Sequence, residues 1–143
     1  MQKYIMGFIA GLFSTIVLSV LMIIKNKFSI MPHFSIIQDL NQFFSMEQSY
    51  LGWAVHFLIG TFIWGGLYVF MQPALAGAAW LKGINFGIIA WLLMMVGFMP
   101  VMDNGFFASQ LGLDVLISSL VLHMLYGFML GLSYHLFETS FQK

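Results

Sequence analysis

The sequence predicts an all-α membrane protein, a single domain over residues 1–143 with four transmembrane helices. Hydrophobic residues make up 61% of the chain and charged residues only 7%, with a mean hydropathy of +0.94. In a soluble domain about 25% of residues are charged, so a chain this poor in charge needs lipid rather than water around it. Four apolar stretches each have the roughly 20 residues that a helix needs to cross the hydrocarbon core.

The four predicted spans cover residues 4–24, 51–71, 83–102 and 115–137. Pro73 and Gly77 interrupt the chain after the second span, and the short link predicts that the second and third spans form a tight helical hairpin. The chain has five Lys, five acidic residues, no Arg and no Cys. Nucleic acid is therefore not an expected partner, whereas the lipid bilayer is, and disulfides and thiolate metal sites are excluded.

The longer connection between the first two spans predicts an amphipathic helix on the membrane surface. Its apolar residues recur at helical spacing while polar residues fill the other face. The apolar members are Ile36, Ile37, Leu40, Phe43 and Phe44, and the polar members are Gln38, Asp39, Asn41 and Gln42.

An even number of spans places both termini on one side of the membrane. Lys3, Lys82 and Lys143 lie on that side, against Lys25 and Lys27 on the other. The positive-inside rule then predicts cytoplasmic termini.

A short pattern occurs twice along the chain. It consists of Gly-x-x-x-Gly, then Met-Pro, then His-x-x-x-Gly, and it predicts two parallel halves of two spans each about an axis along the membrane normal. The first copy is Gly7, Gly11, Met31-Pro32, His56 and Gly60, and the second is Gly83, Gly87, Met99-Pro100, His123 and Gly127. Small residues four apart let helix backbones approach closely. We therefore expect Gly7, Gly11, Gly83, Gly87 and Gly131 to lie at helix–helix contacts.

With these motifs the chain resembles a family of small bacterial membrane proteins defined by a domain of unknown function. The matching residues are Gly7 and Gly11, His56 and Gly60, Pro100 with Gly105-Phe106, and His123 with Tyr126-Gly127. The resemblance extends over nearly the whole chain. It implies a four-helix integral protein of the inner (cytoplasmic) membrane, and it brings no established activity.

His56 and His123 are the candidate site residues, because an ionisable side chain within a span is costly and usually faces the bundle interior. They lie about 9 Å and 14 Å from the same end of the second and fourth spans, at 1.5 Å per residue. In one interpretation the two are axial ligands of a b-type haem, with Gly60 and Gly127 leaving room for the macrocycle. In the other they are neutral pins that hydrogen-bond between helices, and this second interpretation is favoured.

A metal site outside the membrane is a weaker candidate, since its residues are spread over two connections without ligand spacing. They are His33, Asp39, Glu47, Asp103 and Asp114. No motif for catalysis or for a proton relay is present in the spans. The sequence therefore favours a non-catalytic protein, either a subunit of a larger membrane complex or a self-associating bundle. A haem protein in membrane electron transfer is the second hypothesis, and a conduit for ions or small solutes is the third.

Overall fold

The computed structural model describes residues 1–28 and 34–141, which form five helical segments and no strand. Helix α1 is Gln2–Lys27, and the short helix α2 is Ile36–Phe43. Helix α3 consists of Ser49–Leu58, a π-helical turn at Ile59–Trp64, Gly65–Met71 and a 3₁₀ turn at Gln72–Ala74. Helix α4 consists of Ala79–Leu93, a π-helical turn at Met94–Phe98 and Met99–Val101. A 3₁₀ turn at Phe106–Ala108 precedes helix α5, Leu113–Phe141.

Within the described residues, four helices are long and apolar enough to cross a membrane. They are Gln2–Lys27, Tyr50–Ala74, Ala79–Val101 and Leu113–Ser140, with mean hydropathies between 1.7 and 2.4 over their most apolar windows. The prediction of an all-α chain with four helices of spanning length is confirmed. Most large side chains on the outer surface are apolar, for example Ile23 and Phe70, as a multi-pass membrane protein requires.

Glycines bring the backbones of α1 and α3 together. A Cβ at Gly11 would lie 2.9 Å from the carbonyl oxygen of Gly60, and one at Gly7 would lie 2.9 Å from that of Gly65. These distances are shorter than real Cβ contacts allow, so larger residues would force the helices apart. Thr15 and Ser19 continue the same buried face of α1.

A second glycine contact joins α4 and α5. A Cβ at Gly83 would overlap the carbonyl oxygen of Gly127, and one at Gly131 would lie 3.0 Å from the Cα of Gly83. Gly87 meets the carbonyl oxygen of His123, one turn before Gly127. Gly11 is the counterpart of Gly87 in the repeat, and Gly60 is the counterpart of Gly127. Gly11 meets the carbonyl oxygen of Gly60, so it does not lie one turn away as Gly87 does. The two contacts therefore differ in register by about one turn, and the repeat of two parallel halves stays a prediction.

The larger of the two clusters of buried hydrophobic residues lies in the half of the bundle that contains the chain's N-terminus. Tyr68, Phe86, Leu130 and Tyr134 pack there, with edge-to-face ring contacts between Tyr68 and both Phe86 and Tyr134. A smaller cluster that includes Met95, Met99 and Val115 lies toward the other end. The side chains between these two clusters do not fill the bundle, and the candidate site lies there.

Helix α2 packs against the rest of the chain at the end of the bundle opposite the N-terminus. Ile37 and Leu40 are buried, whereas Phe43 and Phe44 remain exposed. Close packing on α3 is possible because Gly52 has no side chain; a Cβ there would lie 2.6 Å from the carbonyl oxygen of Ile37. Much of the predicted apolar face therefore contacts protein, and its position on a membrane surface stays a prediction. Met31-Pro32, His33 and Lys143, which served the predictions above, lie outside the described residues.

A candidate ligand cavity between two histidines

A cavity of about 230 Å³ opens between the spans at the end covered by α2. It exists because the first part of α3, Ser49–Leu58, makes its close backbone contacts with α2 and with its own continuation, and few with the other spans. The rest of α3 is held against α1 by Gly7 and Gly11. The first part of α3 therefore diverges from the other spans toward α2, and the gap that it leaves is the cavity.

All four spans and α2 contribute to the cavity wall. The lining residues recur at helical spacing on each element, so each span presents one face to the cavity. The face of α1 extends from Thr15 through Leu18 and Met22 to Lys25, which is about 15 Å at 1.5 Å per residue. Thr15 marks the deep end in the middle of α1, and Lys25 marks the outer end near α2. Apart from a few polar groups the wall is apolar, as in most small-molecule sites.

His123 lines this cavity and has a defined tautomer. Its Nδ1 lies 2.8 Å from the carbonyl oxygen of Ser119, one turn earlier in α5. A carbonyl only accepts hydrogen bonds, so Nδ1–H donates and Nε2 keeps its lone pair. The Ser119 hydroxyl in turn accepts a hydrogen bond of 3.1 Å from Trp91 Nε1. The imidazole is therefore oriented by its own helix and offers one acceptor nitrogen.

His56 lines the same cavity from α3. Its Nε2 is buried and has no hydrogen-bond partner in the part of the chain that the structure describes. The ring instead makes edge-to-face contacts with Trp53 and Phe57, both at 6.0 Å between centroids. Buried polar atoms in folded proteins nearly always have a partner, so an unpaired imidazole nitrogen beside a cavity indicates a place for a ligand atom.

The hydrogen bonds that the structure describes do not join either histidine to another helix, and the interpretation of the histidines as pins between helices stays a prediction. His123 bonds within α5, and His56 Nε2 bonds to nothing described. Tyr126 provides such a pin instead: its hydroxyl donates a 2.6 Å hydrogen bond to the carbonyl oxygen of Gly60. That carbonyl belongs to the π-helical turn of α3, where the wider helix displaces carbonyls from their usual partners.

The glycines expected to make room for a haem have other neighbours. Gly60 borders the cavity, but the space beside it is taken by the Thr15 side chain, and Gly127 lies against the backbone of Gly83. Two imidazoles beside one cavity are a suitable donor set for haem iron. However, about 230 Å³ is below the 300–1,000 Å³ typical of pockets for drug-sized molecules. The cavity as it stands does not hold a macrocycle.

The surface acids do not assemble into a metal site. No group of three or more His, Asp or Glu with metal-binding geometry occurs within residues 1–28 and 34–141. Asp39 instead accepts a 3.2 Å hydrogen bond from Asn104 Nδ2, which joins α2 to the loop after α4. Burial raises the pKa of the Asp39 carboxyl above its usual range, and the hydrogen bond from Asn104 opposes that rise.

A family of unknown function, DUF6789, matches residues 1–143. The chain belongs to this family. Membership covers the whole chain and confirms the resemblance to a domain of unknown function, while the bacterial origin that the resemblance implied stays a prediction. No curated protein and no solved structure shows a significant similarity to the chain.

Sequence reasoning identified both histidines but missed the cavity and its outer end. The spacing of Thr15, Leu18, Met22 and Lys25 places them on one face of α1, and this was the available signal. It was obscured because Gly7, Gly11 and Ser19 define an overlapping face of small residues. The spacing of the apolar residues along the sequence does not indicate the two π-helical turns. Both border the cavity, through Ile59 and Gly60 on α3 and Met94 and Phe98 on α4.

Proposed function

We propose that this chain is a non-catalytic, multi-pass membrane protein that binds a small, mostly apolar molecule in the cavity between His56 and His123. The ligand would fill the gap between the spans and hydrogen-bond to the imidazoles. One observation carries the proposal: the buried Nε2 of His56 has no described partner, and His56 is one of the residues that line a cavity that His123 also lines. Leaving a buried polar group unpaired costs about 1–3 kcal/mol, which a bound hydrogen-bonding group would recover.

Two further features support a binding site over a packing defect. The helices on both sides of the cavity, α3 and α4, each contain a π-helical turn there, and such turns occur frequently at functional sites because a competing role offsets their poorer geometry. The tautomer of His123 is also fixed by its hydrogen bond to the backbone carbonyl oxygen of Ser119. A polar group oriented in this way is typical of ligand sites in otherwise apolar pockets.

The proposal is tested by filling the cavity. Leu122 lines it, whereas the neighbouring Val121 is 48% exposed on the outer surface. The unmodified protein, Leu122→Trp and Val121→Trp are purified side by side, and their organic extracts are compared by mass spectrometry. We expect a molecule that co-purifies with the unmodified protein and with Val121→Trp but is depleted from Leu122→Trp.

The same preparations separate the alternatives. Equal extracts from all three proteins, with no enriched molecule, would contradict the proposal. A Soret band that both His56→Ala and His123→Ala abolish would instead establish the haem protein, and it would require a wider cavity than the one described here.

Location and assembly complete the proposal. We place the protein in the inner membrane with cytoplasmic termini, so the cavity opens toward the opposite face. The repeat of two halves is supported by the glycine contacts that join α1 to α3 and α4 to α5. Self-association or membership of a larger complex would use other surfaces, because Gly7, Gly11, Gly83, Gly87 and Gly131 already contact glycine or backbone within the chain.

A further inference from the structure

Lys25 places a positive charge at the outer end of the cavity. Its side chain lines the wall, and its Nζ donates a 3.0 Å hydrogen bond to the carbonyl oxygen of Phe34, just before α2. An ammonium group has three N–H donors, so this bond leaves donors for a further acceptor. Lys27, two residues later, is exposed and does not line the cavity.

No acid neutralises this charge within residues 1–28 and 34–141. None of the residues that line the cavity is Asp or Glu, and no carboxylate pairs with Lys25 among the described residues. The undescribed segment between Phe28 and Phe34 contains no acid either. An amine at the mouth of an apolar cavity, without a protein counter-ion, is complementary to an anion on a ligand.

We propose that the ligand is an anionic amphiphile, whose carboxylate or phosphate group binds Lys25 while its apolar chain extends along α1 toward Thr15. This inference rests on the proposed function and adds the chemical class of the ligand. The cavity face of α1 suits such a molecule: Leu18 and Met22 lie between the charged end and the deep end. His56 and His123 lie along the chain's path, where they would meet a polar substituent on it.

The test uses ω-bromododecanoate and its uncharged match, ω-bromododecanol, in nanodiscs of a zwitterionic lipid. Bromine quenches tryptophan fluorescence on contact, and Trp64 lines the cavity. The saturable quenching that Trp64→Phe removes reports occupancy of the cavity, whereas probe dissolved in the bilayer quenches without saturation. Lys25→Gln removes the charge but keeps a hydrogen-bond donor, and Lys27→Gln is the matched control.

We expect the carboxylate to bind at least about tenfold more tightly than the alcohol, and Lys25→Gln to remove that preference. Lys27→Gln should retain it, and the alcohol should bind all three proteins alike, which shows that the variants are folded.

Equal binding of both probes that is insensitive to Lys25→Gln would overturn the anionic class and leave the proposed function intact. Displacement of the carboxylate by inorganic phosphate at similar concentration would overturn the amphiphile, because the site would then recognise a free anion. The absence of saturable quenching by either probe would count against the cavity itself, and so against the proposed function.

Discussion

At the scale of single residues, the site combines one imidazole that is held by a hydrogen bond with one whose buried Nε2 is unpaired. His123 bonds to the carbonyl oxygen of Ser119, and His56 Nε2 has no described partner. Since an unpaired polar atom destabilises the bundle, His56 is retained at a cost to stability, as is usual for residues that serve binding. Stability and binding should therefore respond in opposite directions to its replacement.

His56→Leu tests this opposition. An apolar side chain removes the unpaired nitrogen, so the free energy of unfolding should stay the same or rise by up to about 1 kcal/mol. The co-purifying molecule should be lost at the same time. Detergent-titrated unfolding and mass spectrometry of the extract measure the two effects. A loss of about 1–2 kcal/mol would instead show that His56 makes an interhelical hydrogen bond.

Tyr126 pins α5 to α3. Tyr126→Phe removes the hydrogen bond from its hydroxyl to the carbonyl oxygen of Gly60 and should cost about 1–2 kcal/mol of unfolding free energy. Tyr50 is 63% exposed and provides the control, since Tyr50→Phe removes a hydroxyl at the edge of α3. Equal unfolding curves for the two variants would refute the role of Tyr126.

At the scale of helices, α4 and α5 depend on glycine for their close approach. Gly127→Leu should cost about 3 kcal/mol or prevent folding, because any Cβ there overlaps the backbone of Gly83. Gly97 is the matched control on α4: a Cβ at that position meets nothing within 4 Å. Gly97→Leu should therefore be tolerated. The fraction that remains monodisperse in detergent after heating compares them, and similar behaviour would show that this contact is not essential.

Helix α2 should dock in a pH-dependent way. Burial raises the pKa of the Asp39 carboxyl, so the docked state holds its proton more tightly than the undocked state. Docking should therefore be strongest below the ordinary pKa of aspartate, about 3.9, and weaken as the pH rises through the raised value. Amide protection factors of Ile36–Phe43, measured by hydrogen exchange, should fall over that range.

The variants of this experiment isolate the carboxyl. Asp39→Asn should abolish the pH dependence, whereas Glu47→Gln, which changes an exposed acid in the same connection, should preserve it. Protection that rises with pH in the unmodified protein would give the opposite sign and contradict the account of Asp39.

At the scale of the whole molecule, the lysine distribution predicts the membrane orientation. A reporter fused after Lys143 should be active in the cytoplasm, because Lys3, Lys82 and Lys143 share that side. A fusion in the Asp103–Gly112 loop should report the opposite side. Reversal of the two readouts would overturn the orientation but not the number of spans.

The sequence predicted the spans because a run of about 20 apolar residues has few other uses. It also predicted that the glycines would lie at helix contacts, but not their partners, since the register of two packed helices depends on the whole interface. Gly11 lies opposite Gly60, whereas Gly87 lies opposite His123, and the two copies of the motif do not predict this difference in register. The cavity was not predictable for the same reason, because it arises where α3 diverges from its neighbours.

The central claim, a ligand held between two histidines, is tested most directly by their imidazole nitrogens. Protein labelled with ¹⁵N only at histidine gives few signals, and His135 lies near the other surface, away from the cavity. We predict that stripping the purified protein with excess detergent shifts the Nε2 resonances of His56 and His123 and leaves those of His135 unchanged. Histidine spectra that are identical before and after stripping, with no molecule released, would contradict the claim.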